Sequence, residues 1–186
     1  MTDSQDEYSA AVLAVPDFLG RSQCRELIDR GEEHGIWRPA LVEDTGQARA
    51  YEDEAANSAA ILRNNDLWSD VTAESAPRIL DLITKKWQFR DLVIRRLGLS
   101  KYEMGARVGR HRDTNYDETR RIVTCVIYLN EDFEGGRLIF PELDVAIEPT
   151  AGMLVLFLSE LIHETEVADT RSRYCLVGFA ETQLAG

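Results

Sequence analysis

Two hydrophobic rhythms divide the chain. Up to about Trp87, apolar positions recur every three to four residues, the spacing of amphipathic helices; from Leu92 onward they come in short runs cut by turn residues. Ala11–Val15 reads as a short strand, and Pro16-Asp17-Phe18-Leu19 leads into a helix over Ser22–His34. That helix carries Cys24, Leu27 and Ile28 on one face, with Ser22 as its cap. His34, beside Gly35, reads as a helix-terminal residue rather than a ligand. Trp37–Glu54 is charged and irregular, a loop by expectation, and Asn57–Arg63 reads as a strand. Asn64-Asn65-Asp66 opens a further helical stretch, whose apolar positions Trp68, Val71, Ile79, Leu80, Leu82 and Ile83 suggest one or two helices reaching about Trp87.

The second part predicts strands at Leu97–Tyr102, Ile122–Leu129, Arg137–Phe140, Val145–Ile147, Met153–Leu158, Leu161–Glu164 and Tyr174–Ala180. Turn residues separate them, namely Gly105, Gly109, Asn130-Glu131-Asp132, Gly135-Gly136, Pro141 and Pro149-Thr150-Ala151-Gly152. Many short strands at this spacing favour a sandwich or barrel. Helices followed by a β-rich body give an α+β class with the N-terminal helices packed on one sheet. A double-stranded β-helix, or jelly roll, would be closed enough to enclose a site. With no repeat, low-complexity stretch or linker, residues 1–186 are expected to form a single domain. Its N-terminal part, 1–90, is helical, and residues 91–186 form the jelly-roll core with the site.

Composition narrows the function classes. The chain is 44% hydrophobic and 29% charged, as in ordinary soluble globular proteins. A formal net charge of -12 argues against a nucleic-acid partner, which would call for clustered Lys and Arg. No run approaches the ~18 apolar residues of a membrane span, and the acidic start Met-Thr-Asp-Ser-Gln-Asp-Glu is unlike a secretory leader. The expectation is a cytoplasmic protein without a membrane partner. Cys24, Cys125 and Cys175 are odd in number and far apart, which suggests reduced, buried thiols rather than disulfides or a zinc site. Charge is uneven: residues 1–75 hold 16 acids and 6 bases, whereas residues 84–121 hold 11 bases and 5 acids. The second segment reads either as a mixed solvated surface or as an electropositive rim around His111 that attracts an anionic substrate.

Two of the three histidines stand where metal chemistry would want them. His111-Arg112-Asp113 is an H-x-D, and His163 follows between two apolar stretches. On extended backbone, residues two apart share a face, so His111 and Asp113 can both point inward while Arg112 points away. Two imidazoles and a carboxylate are the ligands of the facial triad that holds non-haem Fe(II) and leaves positions open. Structural zinc, the competing metal, is usually closed by four ligands, often cysteines, and none is in register. Ten residues beyond His163, Arg173 opens the apolar run Tyr174-Cys175-Leu176-Val177-Gly178-Phe179. A cation there can hold the distal carboxylate of an organic acid whose other end binds the metal.

The chain resembles the prolyl-4-hydroxylase-like branch of the Fe(II)/2-oxoglutarate-dependent dioxygenases over roughly residues 97–182. The resemblance is carried by Lys101-Tyr102-Glu103-Met104-Gly105, the H-x-D, Val123-Thr124-Cys125-Val126-Ile127-Tyr128-Leu129-Asn130, and Gly135-Gly136-Arg137-Leu138-Ile139-Phe140-Pro141. It continues in Ile147-Glu148-Pro149, Leu154-Val155-Leu156-Phe157, His163-Glu164 and Arg173-Tyr174. N-terminally it is looser, resting on Val15-Pro16-Asp17-Phe18-Leu19 and Cys24-Arg25-Glu26-Leu27-Ile28. The resemblance implies His111, Asp113 and His163 as catalytic iron ligands. It implies Arg173 as partner of the 2-oxoglutarate C5 carboxylate, a match suited to guanidinium geometry. Tyr128 falls where a phenol reaches that carboxylate, Tyr102 where a family tyrosine contacts the co-substrate, and Val126 and Leu138 would be apolar walls. Family spacing favours Arg173 over Arg171. Three residues before His111, where some members carry tyrosine, stands Val108, which weakens transfer of substrate details from the protein-hydroxylating members.

The implied activity is hydroxylation with Fe(II), 2-oxoglutarate and O2, releasing succinate and carbon dioxide, with ascorbate as an accessory reductant. Related halogenases lack the carboxylate that Asp113 supplies, so halogenation is not expected. The expected substrate is a small molecule such as an amino acid or metabolite. Two alternatives are a prolyl residue of a peptide or protein and, in another class, a non-catalytic module sensing 2-oxoglutarate or oxygen. A nucleic-acid demethylase would need the basic footprint that is missing. The charged stretch Val42–Glu54 reads either as a lid over the pocket or as a surface loop.

Overall fold

The computed structural model of the protein describes residues 10–39, 61–64, 68–114 and 121–182. Among these lie the α-helices α1 (Arg21–His34) and α2 (Ser69–Trp87), a short 3-10 helix (Pro141–Leu143) and eleven strands. The strands are β1 (Val12–Val15), β2 (Arg38–Pro39), β3 (Ile61–Asn64), β4 (Leu92–Tyr102), β5 (Val108–His111), β6 (Arg121–Tyr128), β7 (Leu138–Phe140), β8 (Val145–Ile147), β9 (Leu154–Leu158), β10 (His163–Thr165) and β11 (Arg173–Thr182). The larger sheet runs β1-β9-β6-β11-β4-β3-β2 and the smaller β5-β10-β7-β8. From β4 the chain crosses between them: β5 in the small sheet, β6 in the large, β7 and β8 small, β9 large, β10 small, β11 large. This alternation is the jelly roll, and the α+β expectation stands.

Strand alternation splits the core in two. On β6, Val123, Cys125 and Ile127 face the helices, joining Leu97, Leu99 and Leu176 against Cys24, Leu27, Trp68, Ile79 and Ile83. Val126 and Tyr128 face the other way, into a second cluster with Tyr102, Leu138, Phe140 and Phe157 between the sheets. The helices therefore cover the outer face of the large sheet, and its inner face is left for a site. All three cysteines are buried, and none takes part in a disulfide.

Strand β4 carries one residue too many. It pairs Leu97 with Gly178 of β11 but Ile94 with Ala180, so the register shifts over Arg95 and Arg96, both exposed. The Leu97 amide donates to the Thr72 hydroxyl at 2.9 Å, and that hydroxyl donates to the Trp68 carbonyl at 2.8 Å. Helix α2 thus supplies the acceptor at the bulge.

Several boundaries differ from the sequence reading. Gly20, not Ser22, caps α1: the Gln23 side chain reaches back to the Gly20 amide at 3.0 Å, and Ser22 sits inside the first turn. The second helical stretch is one helix, running through Pro77, and it starts at Ser69, whereas Asn64 ends β3. Arg38–Pro39 pairs with β3 instead of belonging to a loop. The remainder of that stretch, including 42–54, lies outside the described residues, as do 57–60. Strand β4 begins five residues earlier than expected, and β5 was not anticipated as a strand. No helix among the described residues is long and apolar enough to cross a membrane.

Candidate active site

Strands β5 and β10 of the small sheet place His111 directly opposite His163. Their rings lie 4.2 Å apart, centroid to centroid, and the edge of Phe157 steadies His163 at 4.6 Å. Asp113 lies two residues past the end of β5. Its Oδ1 lies 3.5 Å from His111 Nε2 and its Oδ2 3.4 Å from His163 Nε2. One ligand atom from each of the three residues falls within 4.8 Å of the others. Arg112 between them is turned out and half exposed.

The tautomers follow from the second ring nitrogens. His111 Nδ1 lies 2.8 Å from the Gly109 carbonyl and His163 Nδ1 3.0 Å from the Leu161 carbonyl. A carbonyl only accepts, so both Nδ1 atoms carry the proton and the Nε2 atoms of the neutral rings present bare lone pairs to Asp113. Three electron-rich atoms then converge, and a metal cation or a shared proton is what relieves their repulsion.

Burial works against ionising Asp113, but positive charge on the two imidazoles, together with the Thr124 hydroxyl, outweighs it and holds the carboxyl well below the usual range. Burial also lowers His163 and keeps it neutral. His111 is raised, because its contacts with Asp113 outweigh its own burial.

A second group sits on the inner face of the large sheet. Arg173 opens β11 opposite Tyr102 of β4, is 2% exposed, and stacks its guanidinium 4.0 Å from the Tyr102 ring centroid. Its Nη1 donates to the Gly136 carbonyl at 2.6 Å, while the buried Nε has no hydrogen-bond partner. Such an orphaned donor on a buried cation is costly unless an anion completes it. Two residues along β11, Cys175 pairs with Tyr128, and two further, Val177 pairs with Val126. Burial pushes the Tyr128 phenol up against the opposing charge of Arg173, so it stays a neutral donor.

The turn that supplies the Gly136 carbonyl explains the Gly135-Gly136 pair. Both residues have positive φ, +70° and +68°. A Cβ on Gly135 would stand 2.3 Å from the Val167 carbonyl, and one on Gly136 would meet Phe133 at 2.9 Å and Arg173 Cδ at 3.6 Å.

The residues singled out in the sequence are thus brought together: His111, Asp113 and His163 in one cluster, with Arg173, Tyr128, Tyr102, Leu138 and Val126 around the same inter-sheet space. Arg171 is exposed and paired with Asp132. Sequence reasoning missed Ser159, the Gly136 carbonyl and Val177; alternation on β11 from Arg173 would have found Val177. Of the arginines flanking His111 in sequence, Arg110 pairs with Glu164 and Arg112 with Glu142. Arg120 lies outside the described residues.

The family model of the 2OG-Fe(II) oxygenase superfamily matches residues 97–181. A prolyl-4-hydroxylase from Pseudomonas putida is 26% identical, with a TM-score of 0.70 over 97% of this chain and 97% of its own. The collagen prolyl hydroxylase of Paramecium Bursaria Chlorella virus-1 is 16% identical, with a TM-score of 0.69 over 93% of this chain and 97% of its own. SnoN, a non-haem α-ketoglutarate-dependent epimerase of nogalamycin biosynthesis, is 13% identical, with a TM-score of 0.69 over 97% of this chain and 82% of its own. The last two likenesses show the fold. No curated protein matches the chain.

Proposed function

We propose that this chain, whose residues 97–181 match the family model of the 2OG-Fe(II) oxygenase superfamily, hydroxylates a small organic molecule, such as an amino acid or another metabolite. It is an oxidoreductase of the dioxygenase type, and its family uses Fe(II), 2-oxoglutarate and O2. In this reading His111, Asp113 and His163 hold the iron, and the whole chain, 1–186, serves as one catalytic unit.

The observation that carries the site assignment is the unpartnered, buried Arg173 Nε, on a guanidinium that packs on the same inter-sheet cluster as the triad. A dicarboxylate with a 2-oxo acid at one end answers both needs at once. Arg173 would hold the far carboxylate through Nε, the Tyr128 phenol would donate to it, and Leu138 and Val126 would flank the methylenes. Bound iron supplies the oxidising chemistry on O2, with 2-oxoglutarate as the electron source. The protein's own residues orient the co-substrate and keep water from it.

Two observations support the small-molecule reading. This chain superimposes on the epimerase SnoN as closely as on the viral collagen prolyl hydroxylase, so the shared fold does not select a peptide. The net charge of -12 and the paired arginines beside His111 disfavour a nucleic acid. A second reading, oxidation of a prolyl residue in a peptide, rests on the 26% identity to the Pseudomonas putida enzyme over nearly the whole chain.

Anaerobic titration with Fe(II) and then 2-oxoglutarate tests the site: a weak visible charge-transfer band is expected, and a folded protein that binds iron without giving that band refutes it. Succinate release is then followed with free amino acids and with proline-containing peptides. Stimulation by peptides alone would overturn the small-molecule proposal.

A further inference from the structure

Behind the triad lie two buried hydroxyls that the reading above leaves unused. Thr124, on the inner face of β6, is 1% exposed, and Ser159, just past β9, is fully buried. Thr124 Oγ1 lies 2.8 Å from Asp113 Oδ2 and 2.9 Å from Ser159 Oγ. The direction of this chain is determined by valence. An ionised carboxylate only accepts, so the single Thr124 proton goes to Asp113; Thr124 must then accept, and Ser159 must donate. Ser159 also grips the backbone: its carbonyl accepts the Asp113 amide at 2.9 Å, and its own amide donates to the Ile122 carbonyl at 3.0 Å.

Resting on the metal-site reading, we propose that Ser159 and Thr124 form a hydroxyl relay that holds Asp113 as a ligand through one oxygen, engaging Oδ2 and leaving Oδ1 to the metal. Both are positioning residues, acting on the metal only through Asp113. A carboxylate free to rotate would offer both oxygens and occupy two positions. Engaging one oxygen keeps the second position open, which is what the chemistry of the site requires. Outer hydrogen bonds of this kind typically change metal affinity by about 10–100-fold when removed.

The test uses the full chain with Thr124→Val, Thr124→Ser and Ser159→Ala, and with Cys125→Ala as a control. Cys125 is buried on the helix-facing side of the same strand. Three readouts are taken: Fe(II) dissociation constant under anaerobic conditions, melting temperature without metal, and the energy of the charge-transfer band with 2-oxoglutarate. Thr124→Val is expected to weaken Fe(II) binding about 10–100-fold and to move the band, and Thr124→Ser to restore both to within a few-fold. Ser159→Ala should act in the same direction but less, and Cys125→Ala should lower the melting temperature without touching metal affinity. Wild-type affinity and band position in Thr124→Val, or a Thr124→Ser variant as weak as Thr124→Val, would overturn the relay. Should Thr124→Val fail to fold, Ser159→Ala decides alone, and an unchanged affinity and band there overturns it. A wild-type chain that takes up no Fe(II) sinks the metal-site reading itself; normal wild-type uptake with indifferent variants sinks only the relay.

Discussion

Replacing Arg173 with Met separates the binding of the co-substrate from the stability of the fold. Without ligand, Arg173 is a buried cation compensated by one carbonyl at 2.6 Å and one aromatic face at 4.0 Å, with Nε unpaired. Exchanging a buried ionic group for an apolar one of similar volume is neutral or stabilising by about 1–4 kcal/mol. Leaving the Gly136 carbonyl without its donor costs about 1–3 kcal/mol. These nearly cancel, so Arg173→Met should melt within roughly 5 °C of wild type when no ligand is present. The loss appears on adding 2-oxoglutarate. Two charge-assisted hydrogen bonds at about 1.5–3 kcal/mol each amount to some 3–6 kcal/mol, or about two to four orders of magnitude in Kd. The assay is thermal unfolding with a redox-inert divalent metal in place of iron. At 100 times Kd, wild type should gain about 2.7 kcal/mol, a rise of roughly 5–11 °C for a chain of this size. The variant at the same concentration should gain almost nothing. A variant that keeps the full ligand-induced rise would refute Arg173 as the carboxylate partner. One that unfolds without ligand would refute the claim that the cation is under-compensated.

Three further outcomes are expected. In the proposed site His163→Ala would remove a ligand rather than a support, so Fe(II) affinity should fall by more than the roughly 10–100-fold of an outer-sphere change, with loss of the charge-transfer band; an intact band would contradict the triad. Gly136→Ala forces a left-handed residue at about 1–2 kcal/mol and pushes on Phe133, so melting should drop about 2–8 °C; 2-oxoglutarate affinity should fall with it as the carbonyl that steadies Arg173 moves. Thr72→Val leaves the Leu97 amide without an acceptor, a loss of about 1–3 kcal/mol read as a melting shift of roughly 2–12 °C; no shift would mean that water or backbone takes over.

The chemistry was more legible than the scaffold that aims it. His111 and Asp113 share a face because extended backbone repeats every two residues, and this can be read from spacing alone. Their pairing with His163 across β5 and β10 cannot, since it depends on a strand whose residues, Val108-Gly109-Arg110-His111, carry no β signature. Val126 and Tyr128 were marked by the resemblance; alternation on β6 turns them to the inner face and Cys125 and Ile127 to the helices. Ser159 had no signal, because its role arises from contact with Thr124, 35 positions earlier in the chain. Likewise Gly135-Gly136 announced a turn but not that its carbonyl would meet Arg173. The cap of α1 moved because a glutamine two residues into the helix reached back to a glycine, an arrangement the serine beside it obscured.

The surplus residue in β4 has the widest reach. Ile94 faces the helices, and strict alternation from there would send Leu97 inward and Tyr102 outward, away from Arg173. The extra residue inverts that phase, so Leu97 and Leu99 point to the helices and Tyr102 lies beneath the guanidinium. A helix hydroxyl more than twenty positions upstream marks the place of the inversion. Helix α2 thereby governs where Tyr102 and Arg173 stack while contributing no atom to that stack. An insertion or deletion in β4 after Leu97 would rotate Tyr102 out from under Arg173, whereas one before Arg95 would leave that stack in place.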